Sequence, residues 1–245
     1  MSGHPLLIFV QRKAFVMDYQ TIVNKNPHLA FLNNKPGELS AYGTFVLIPE
    51  AGRLCEEADG VIPNNLEQNA YVASEPALDT DANRKLFSAF FGGMEVQIGW
   101  VAGPNSTMNG MEYHKSNEVL IALSAQVLLL GLQSDMDPDH RFETTKAKAL
   151  YLKKGDCFEL FPQTLHLSPC KVSDAGFRTI IVLPKGTNLP LEGNDHPTAG
   201  GAHVDKDRRL LFMKNKWMLA HPERKPLVEK GVFPGLVGEN VRVLY

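Results

Sequence analysis

Between Met94 and Leu183 the apolar positions fall into short runs, each ended by turn residues. The runs are Met94–Ala102, Met111–His114, Glu118–Ser124, Gln126–Leu132, Ala149–Lys153, Cys157–Phe161, Leu165–Ser168 and Phe177–Leu183. The breaks carry Gly103-Pro104-Asn105, Lys115-Ser116-Asn117, Asp135–Asp139, Lys154-Gly155-Asp156 and Ser173–Gly176. Short strands with regular turn signals predict an all-β sandwich or barrel with minor helices. No long helical pattern separates the runs, which disfavours a parallel βαβ sheet. In the first run Glu95 and Gln97 alternate with Met94, Val96 and Ile98, so a polar face is expected there, toward solvent or, alternatively, lining the barrel.

Outside this region the pattern is mixed. A helix is expected around Asp18–Asn26, stopped by Pro27. Phe45–Ile48 reads as a strand and Arg53–Ala58 as a short helix. Asp79–Phe91 holds a helical turn, with Asp79 or Asp81 as its cap. Residues 185–208 are rich in Gly, Pro, Asn and Asp and read as a long loop or flap, with His196 and His203 as residues of a lid. Leu210–Leu219 resumes a β-like or short helical element, and the tail ends in Val241–Tyr245. The chain is therefore expected to be one domain over 1–245. Its core barrel would span about 92–184, with an N-terminal extension at 1–91 and a C-terminal loop and tail at 185–245.

Composition narrows the class. Hydrophobic residues make up 44% and charged residues 21% of the 245, which excludes an intrinsically disordered chain. Lys+Arg number 25 against 27 Asp+Glu, a net charge of −2, so no basic surface for nucleic acid is implied. Three scattered cysteines (Cys55, Cys157 and Cys170) form no CxxC pair. They fit a reducing compartment better than a disulfide framework. The apolar run Leu6–Val10 is short and lacks a basic leader. Val127–Leu132 is far below the ~20 residues that span a bilayer. The expectation is a cytoplasmic protein with no membrane partner.

The candidate chemistry lies in two stretches. In Gly110-Met-Glu112-Tyr-His114-Lys-Ser-Asn-Glu118, an extended strand puts Glu112 and His114 on one side. After the turn at Lys115–Asn117, Glu118 opens the returning strand toward the same spot. The second stretch, Gly155 to Cys170, supplies His166 after a Pro162-containing turn. Two imidazoles with one or two carboxylates suit one divalent first-row metal (Zn, Mn, Fe, Co or Ni). Glu112, His114, Glu118 and His166 are the candidate ligands, and Glu112 and Glu118 the candidate catalytic carboxylates. Glu95 and Glu159 are further candidates for a base. Lys214, Lys216 and Trp217, with His221 beside them, form a candidate site for an acidic or sugar substrate, the tryptophan stacking on a ring. There is no phosphate-loop spacing, no GxGxxG and no GxSxG.

The two stretches resemble the paired motifs of the cupin superfamily, roughly G-x5-H-x-H-x3,4-E-x6-G and G-x5-P-x-G-x2-H-x3-N. Glu112 stands at the first histidine position, His114 at the second, Glu118 at the motif glutamate and His166 at the histidine of the second motif. The glycine closing the first motif is absent, with Ser124-Ala125 near its place, and Pro162 lies one residue closer to His166 than usual. Glu-Tyr-His-Lys-Ser-Asn-Glu, Leu-His-Leu-Ser-Pro-Cys-Lys-Val, Pro-Lys-Gly-Thr-Asn and Lys-Asn-Lys-Trp also resemble an uncharacterised bacterial cupin-like family that accompanies carbohydrate genes. The resemblance implies a jelly-roll barrel enclosing a metal. Such a metal polarises a carbonyl, and a nearby base moves a proton beside it. The leading expectation is a metal-dependent isomerase or epimerase of a sugar or sugar acid, acting through an enediolate. The alternatives are a metal-dependent lyase or hydrolase of a small hydroxy acid, an Fe(II) dioxygenase, and a non-catalytic sugar-binding cupin. Sheet edges that need covering add the expectation of a homodimer.

Overall fold

The computed structural model describes residues 17–32, 37–193 and 206–245. Leu6–Val10, His196 and His203 lie outside the described residues. The strands and helices are, in order, α1 (Tyr19–Lys25), β1 (Ala30–Phe31), β2 (Gly43–Phe45), α2 (Ala51–Val61), β3 (Ala70–Val72), α3 (Asp81–Phe87), β4 (Val96–Gly103), β5 (Gly110–Tyr113), β6 (Glu118–Ala122), β7 (Gln126–Leu132), β8 (Phe142–Glu143), β9 (Lys148–Leu152), β10 (Cys157–Leu160), β11 (Thr164–Leu165), β12 (Cys170–Lys171), β13 (Phe177–Pro184), β14 (Leu211–Met213), β15 (Lys216–Ala220), α4 (Lys225–Glu229) and β16 (Leu236–Val237).

The structure is mostly β. One antiparallel sheet has the order β2-β10-β6-β13-β4-β3. A second runs β1-β9-β7-β11, with β12 also on β7 and β1 parallel to β9. The two face each other in a jelly-roll-compatible sandwich. Leu120 and Ala122 of β6 and Phe158 and Leu160 of β10 pack against Leu128 and Leu130 of β7 and Leu150 and Leu152 of β9. Across the same gap Thr179 Oγ1 donates to Gln126 Oε1 at 2.9 Å, both residues wholly buried.

Each sheet is covered on its outer face as well. The other side of β6 (Val119, Ile121) and of β13 (Ile180, Val182) meets Leu54, Ala58 and Phe87 of α2 and α3. Val127 and Leu129 of β7 pack under Ile22 of α1 and against β5 and β15. This double burial is why β6 and β7 read as continuous apolar runs rather than alternating ones.

Most expected elements stand within a residue or two. The helix over Asp18–Asn26 forms as α1, and the Asp18 carboxylate accepts from Thr21 N at 3.0 Å. Several expectations need correction. The cap of α3 is Thr80, accepting from Asn83 N at 3.2 Å, because Asp79 is taken by Arg84 Nε at 2.7 Å. Of the expected Phe45–Ile48 strand only Phe45 lies in β2, which starts at Gly43: Val46 still donates to Cys157 O, then the chain turns into α2 and buries Ile48 beneath it. Gln97 does not face solvent; Nε2 donates to Thr187 O at 3.0 Å and Oε1 accepts from Gly186 N at 2.8 Å. Leu210–Leu219 is largely a strand pair, β14 and β15, which joins β5 to make a third sheet. Described residues on both sides of 92–184 join the β framework: β2 and β3 flank the six-stranded sheet, and β15 pairs with β5. Among the described residues no helix is long and apolar enough to cross a membrane.

Candidate metal centre

Four segments converge at one end of the sandwich. Glu112 lies in β5, His114 just beyond it, Glu118 at the first position of β6 and His166 just past β11. Backbone pairing fixes the convergence. Glu112 N donates to His166 O at 2.6 Å and His166 N to Glu112 O at 2.9 Å, while Gln163 N donates to His114 O at 2.9 Å. All four residues are buried.

Hydrogen bonds orient both imidazoles the same way. His114 Nδ1 donates to Asn215 O at 2.5 Å and His166 Nδ1 to Thr164 O at 2.9 Å. A neutral ring whose Nδ1 carries the proton presents a lone pair at Nε2. Both Nε2 atoms lie 3.1 Å from Glu118 Oε2, and His114 Nε2 has no hydrogen-bond partner. Glu112 Oε1 is 3.9 Å from His114 Nε2. His166 Nε2 is itself within hydrogen-bond distance of Glu118 Oε2, so the three groups face one another in a way that calls for a proton or a metal ion between them. Separations near 3 Å match adjacent ligands whose bonds to one ion are each about 2.1 Å. Nitrogen and oxygen donors of Glu112, His114 and His166 lie within 4.8 Å of one another, so this group is able to hold a metal ion.

The electrostatics agree. Burial alone would push the Glu118 carboxyl up, but the His166 and His114 imidazoles beside it hold it well below the usual carboxylate range. Burial would lower His166, yet the Glu118 charge raises it above its ordinary value. The cluster thus binds positive charge, whether protons or a metal, at a buried place.

A cavity of about 440 Å³ opens onto the cluster. Glu112, Glu118 and His166 line it, together with Lys216, Tyr71 and Asn188. Lys216 reaches the cluster because β15 pairs antiparallel with β5 and places Met218 opposite Glu112. Lys216 is then the diagonal neighbour on the same face, and its ammonium contacts Glu112 Oε2. The other two candidate substrate residues do not line the cavity. Trp217 alternates to the opposite face of β15, where it stacks on Tyr113 at 5.6 Å under the Lys115 ammonium. Lys214 lies in the β14–β15 turn and pairs with Glu192 at 3.0 Å. His221 is buried, with Nε2 at 3.0 Å from Gly238 O. Glu95 pairs with Lys185 on the surface and Glu159 accepts from Asn117 at 2.5 Å, so neither faces the cavity.

Sequence reasoning missed Asn215. It sits in the left-handed region (φ 54°) at the tip of the β14–β15 hairpin. Its side chain accepts from Lys115 N at 3.1 Å and donates to Ser116 Oγ at 2.9 Å and Thr187 Oγ1 at 3.1 Å, while its carbonyl holds His114. One residue thus clamps the loop that carries His114. The Lys-Asn-Lys hairpin signal was visible, but nothing local said which loop it would meet.

An all-β, jelly-roll-compatible sandwich with an internal Glu/His group able to hold a metal ion defines the class. A family profile described as a domain of unknown function (DUF4867) matches residues 33–241, and the chain belongs to that family. No curated protein matches it. Solved structures similar to parts of it include a cupin domain from Bordetella pertussis Tohama I, at 15% identity over 37% of this chain and 81% of that one, with a TM-score of 0.27. A cupin superfamily protein from Desulfitobacterium hafniense DCB-2 aligns at 12% identity over 52% and 87%, TM-score 0.32. Oxalate decarboxylase from Bacillus subtilis aligns at 12% identity over 52% of this chain but only 28% of its own, TM-score 0.30. Likenesses at this level leave the site's own geometry to carry the chemistry.

Proposed function

We propose that the protein is a metal-dependent isomerase or epimerase of a small hydroxy-carbonyl compound of the sugar or sugar-acid class. The observation that carries this is the convergence of two Nε2 lone pairs and two carboxylates on a cavity that also holds a lysine. His114, His166 and Glu118 would hold the metal together with Glu112, whose donor atom lies within 4.8 Å of both imidazoles. The metal, when bound, supplies Lewis acidity at a substrate carbonyl. Glu118, held ionised by its imidazoles, is a weak base and serves the cation. Glu112 takes the proton from the carbon next to the carbonyl and returns it to the former carbonyl carbon while the hydroxyl proton passes from the one oxygen to the other, which interconverts aldose and ketose with no net change in atoms. Lys216, in contact with Glu112, steadies the negative charge that develops on the substrate oxygens. The sugar class is supported by the resemblance of the motifs to a carbohydrate-associated cupin-like family.

The test is a screen of pentoses, hexoses and sugar acids with metal-loaded protein, read by chromatography and mass. An isomer of unchanged mass, lost in Glu112→Gln with metal retained, supports the proposal. Two fragments assign a lyase, oxygen uptake a dioxygenase, and saturable binding without turnover a binding protein; each contradicts it.

A further inference from the structure

The walls of the cavity say more about the ligand than its metal end does. Strand parity puts Leu120 on the same face of β6 as Glu118, roughly 7 Å further along. Ile181 lies directly across from Leu120 in β13. Leu128 of the opposing sheet, Leu183 and Val101 complete an apolar floor, and Leu120, Leu128, Leu183 and Val101 are each at most 5% exposed. Besides the metal cluster and Lys216, the polar lining residues are Asn69, Tyr71, Ser168, Asn188 and Lys230. Asn188, itself in the left-handed region at φ 68°, donates Nδ2 to the Tyr71 hydroxyl at 2.8 Å. Its Oδ1 is buried without a hydrogen-bond partner, an acceptor waiting for one donor. Asn69 Oδ1 is already used by Asn105 N at 3.1 Å.

We infer that the cavity selects a hydroxy-carbonyl ligand with an alkyl end, such as a 6-deoxy sugar, over its fully hydroxylated counterpart. This rests on the reading of the site as a metal-dependent sugar isomerase and names the substrate class within it. The oxygen-bearing end lies at the metal group and Lys216. One ligand hydroxyl donates to Asn188 Oδ1, and the methyl group lies on the floor made by Leu120, Leu128 and Ile181. A terminal hydroxyl on that floor finds no partner, and an unpaired buried hydroxyl is penalised heavily. The methyl group in its place gains from apolar contact.

The matched probes are L-rhamnose and L-mannose, which differ only by the terminal hydroxyl. Both are titrated into the Co(II)-loaded protein, with the cobalt visible spectrum and calorimetry as readouts. The expected result is that L-rhamnose binds about ten-fold tighter or more. Ile181→Thr, which places a hydroxyl on the floor, is expected to shrink that ratio several-fold while cobalt content stays the same. Equal binding, tighter L-mannose, or no binding of either sugar overturns the inference. The cobalt content of the same samples reports separately on the metal site, and turnover of the two sugars on the isomerase reading, so the failures are distinguishable.

Discussion

Asn215→Gly isolates the clamp on the metal loop. Glycine keeps the left-handed backbone (φ 54°) without strain and keeps the carbonyl that accepts from His114 Nδ1. What is lost is the side chain, with its bonds to Lys115 N, Ser116 Oγ and Thr187 Oγ1 at 2.9–3.1 Å. Hydrogen bonds of this kind contribute about 0.5–1.5 kcal/mol each. Asn215 is only half-buried, so the sum is discounted to about 1–3 kcal/mol. The loss falls on the loop that sets the His114 orientation. Metal affinity should therefore drop about 10- to 100-fold, as for other groups that orient metal ligands. Competition against a chromophoric chelator measures the affinity, and circular dichroism checks the fold. Unchanged affinity in a folded Asn215→Gly protein would refute the clamp. Asn215→Ala should do worse than glycine, because alanine in the left-handed region adds about 1 kcal/mol of strain.

Three further outcomes follow from the same geometry. Lys216→Met removes a positive charge from beside Glu112, so divalent-metal affinity should rise, about ten-fold or more, while turnover falls; parallel metal titration and activity assays check both. His166 is raised by Glu118, so the metal-free protein keeps a proton there above the ordinary histidine pKa. Metal must displace that proton, so apparent affinity should climb with pH through this range and level off above it, and calorimetry in buffers of different ionisation heat should detect proton release that shrinks in Glu118→Gln. Thr179→Val leaves Gln126 Oε1 unpaired between the sheets, where Gln126 Nε2 already lacks a partner. Thermal unfolding should show a loss of about 1–3 kcal/mol, about 2–4 °C in Tm for each kcal/mol, with metal content unchanged.

The longer strands of the central sandwich were legible because they are bounded by turn residues, and β4, β6 and β7 are buried on both faces. Glu112, His114, Glu118 and His166 were legible as a group because parity and one tight turn already placed three of them together. The short strands β1, β3, β8, β12 and β16 were not, since two or three residues carry no periodicity and owe their pairing to partners far along the chain. The same limit explains the substrate residues. Lys214, Lys216 and Trp217 are near neighbours in sequence, but only the pairing of β15 with β5 decides that Lys216 faces the cavity and Trp217 the opposite side. Gln97 likewise looked like a surface residue because its partners, Gly186 and Thr187, come 90 residues later in the chain.

The most direct test of the account is the metal content of the purified protein by mass spectrometry, beside His114→Ala/His166→Ala. The account predicts about one Zn, Mn, Fe, Co or Ni ion per chain, lost in the double variant. A wild-type chain that holds no metal even after reconstitution, or a double variant that keeps it, contradicts the account.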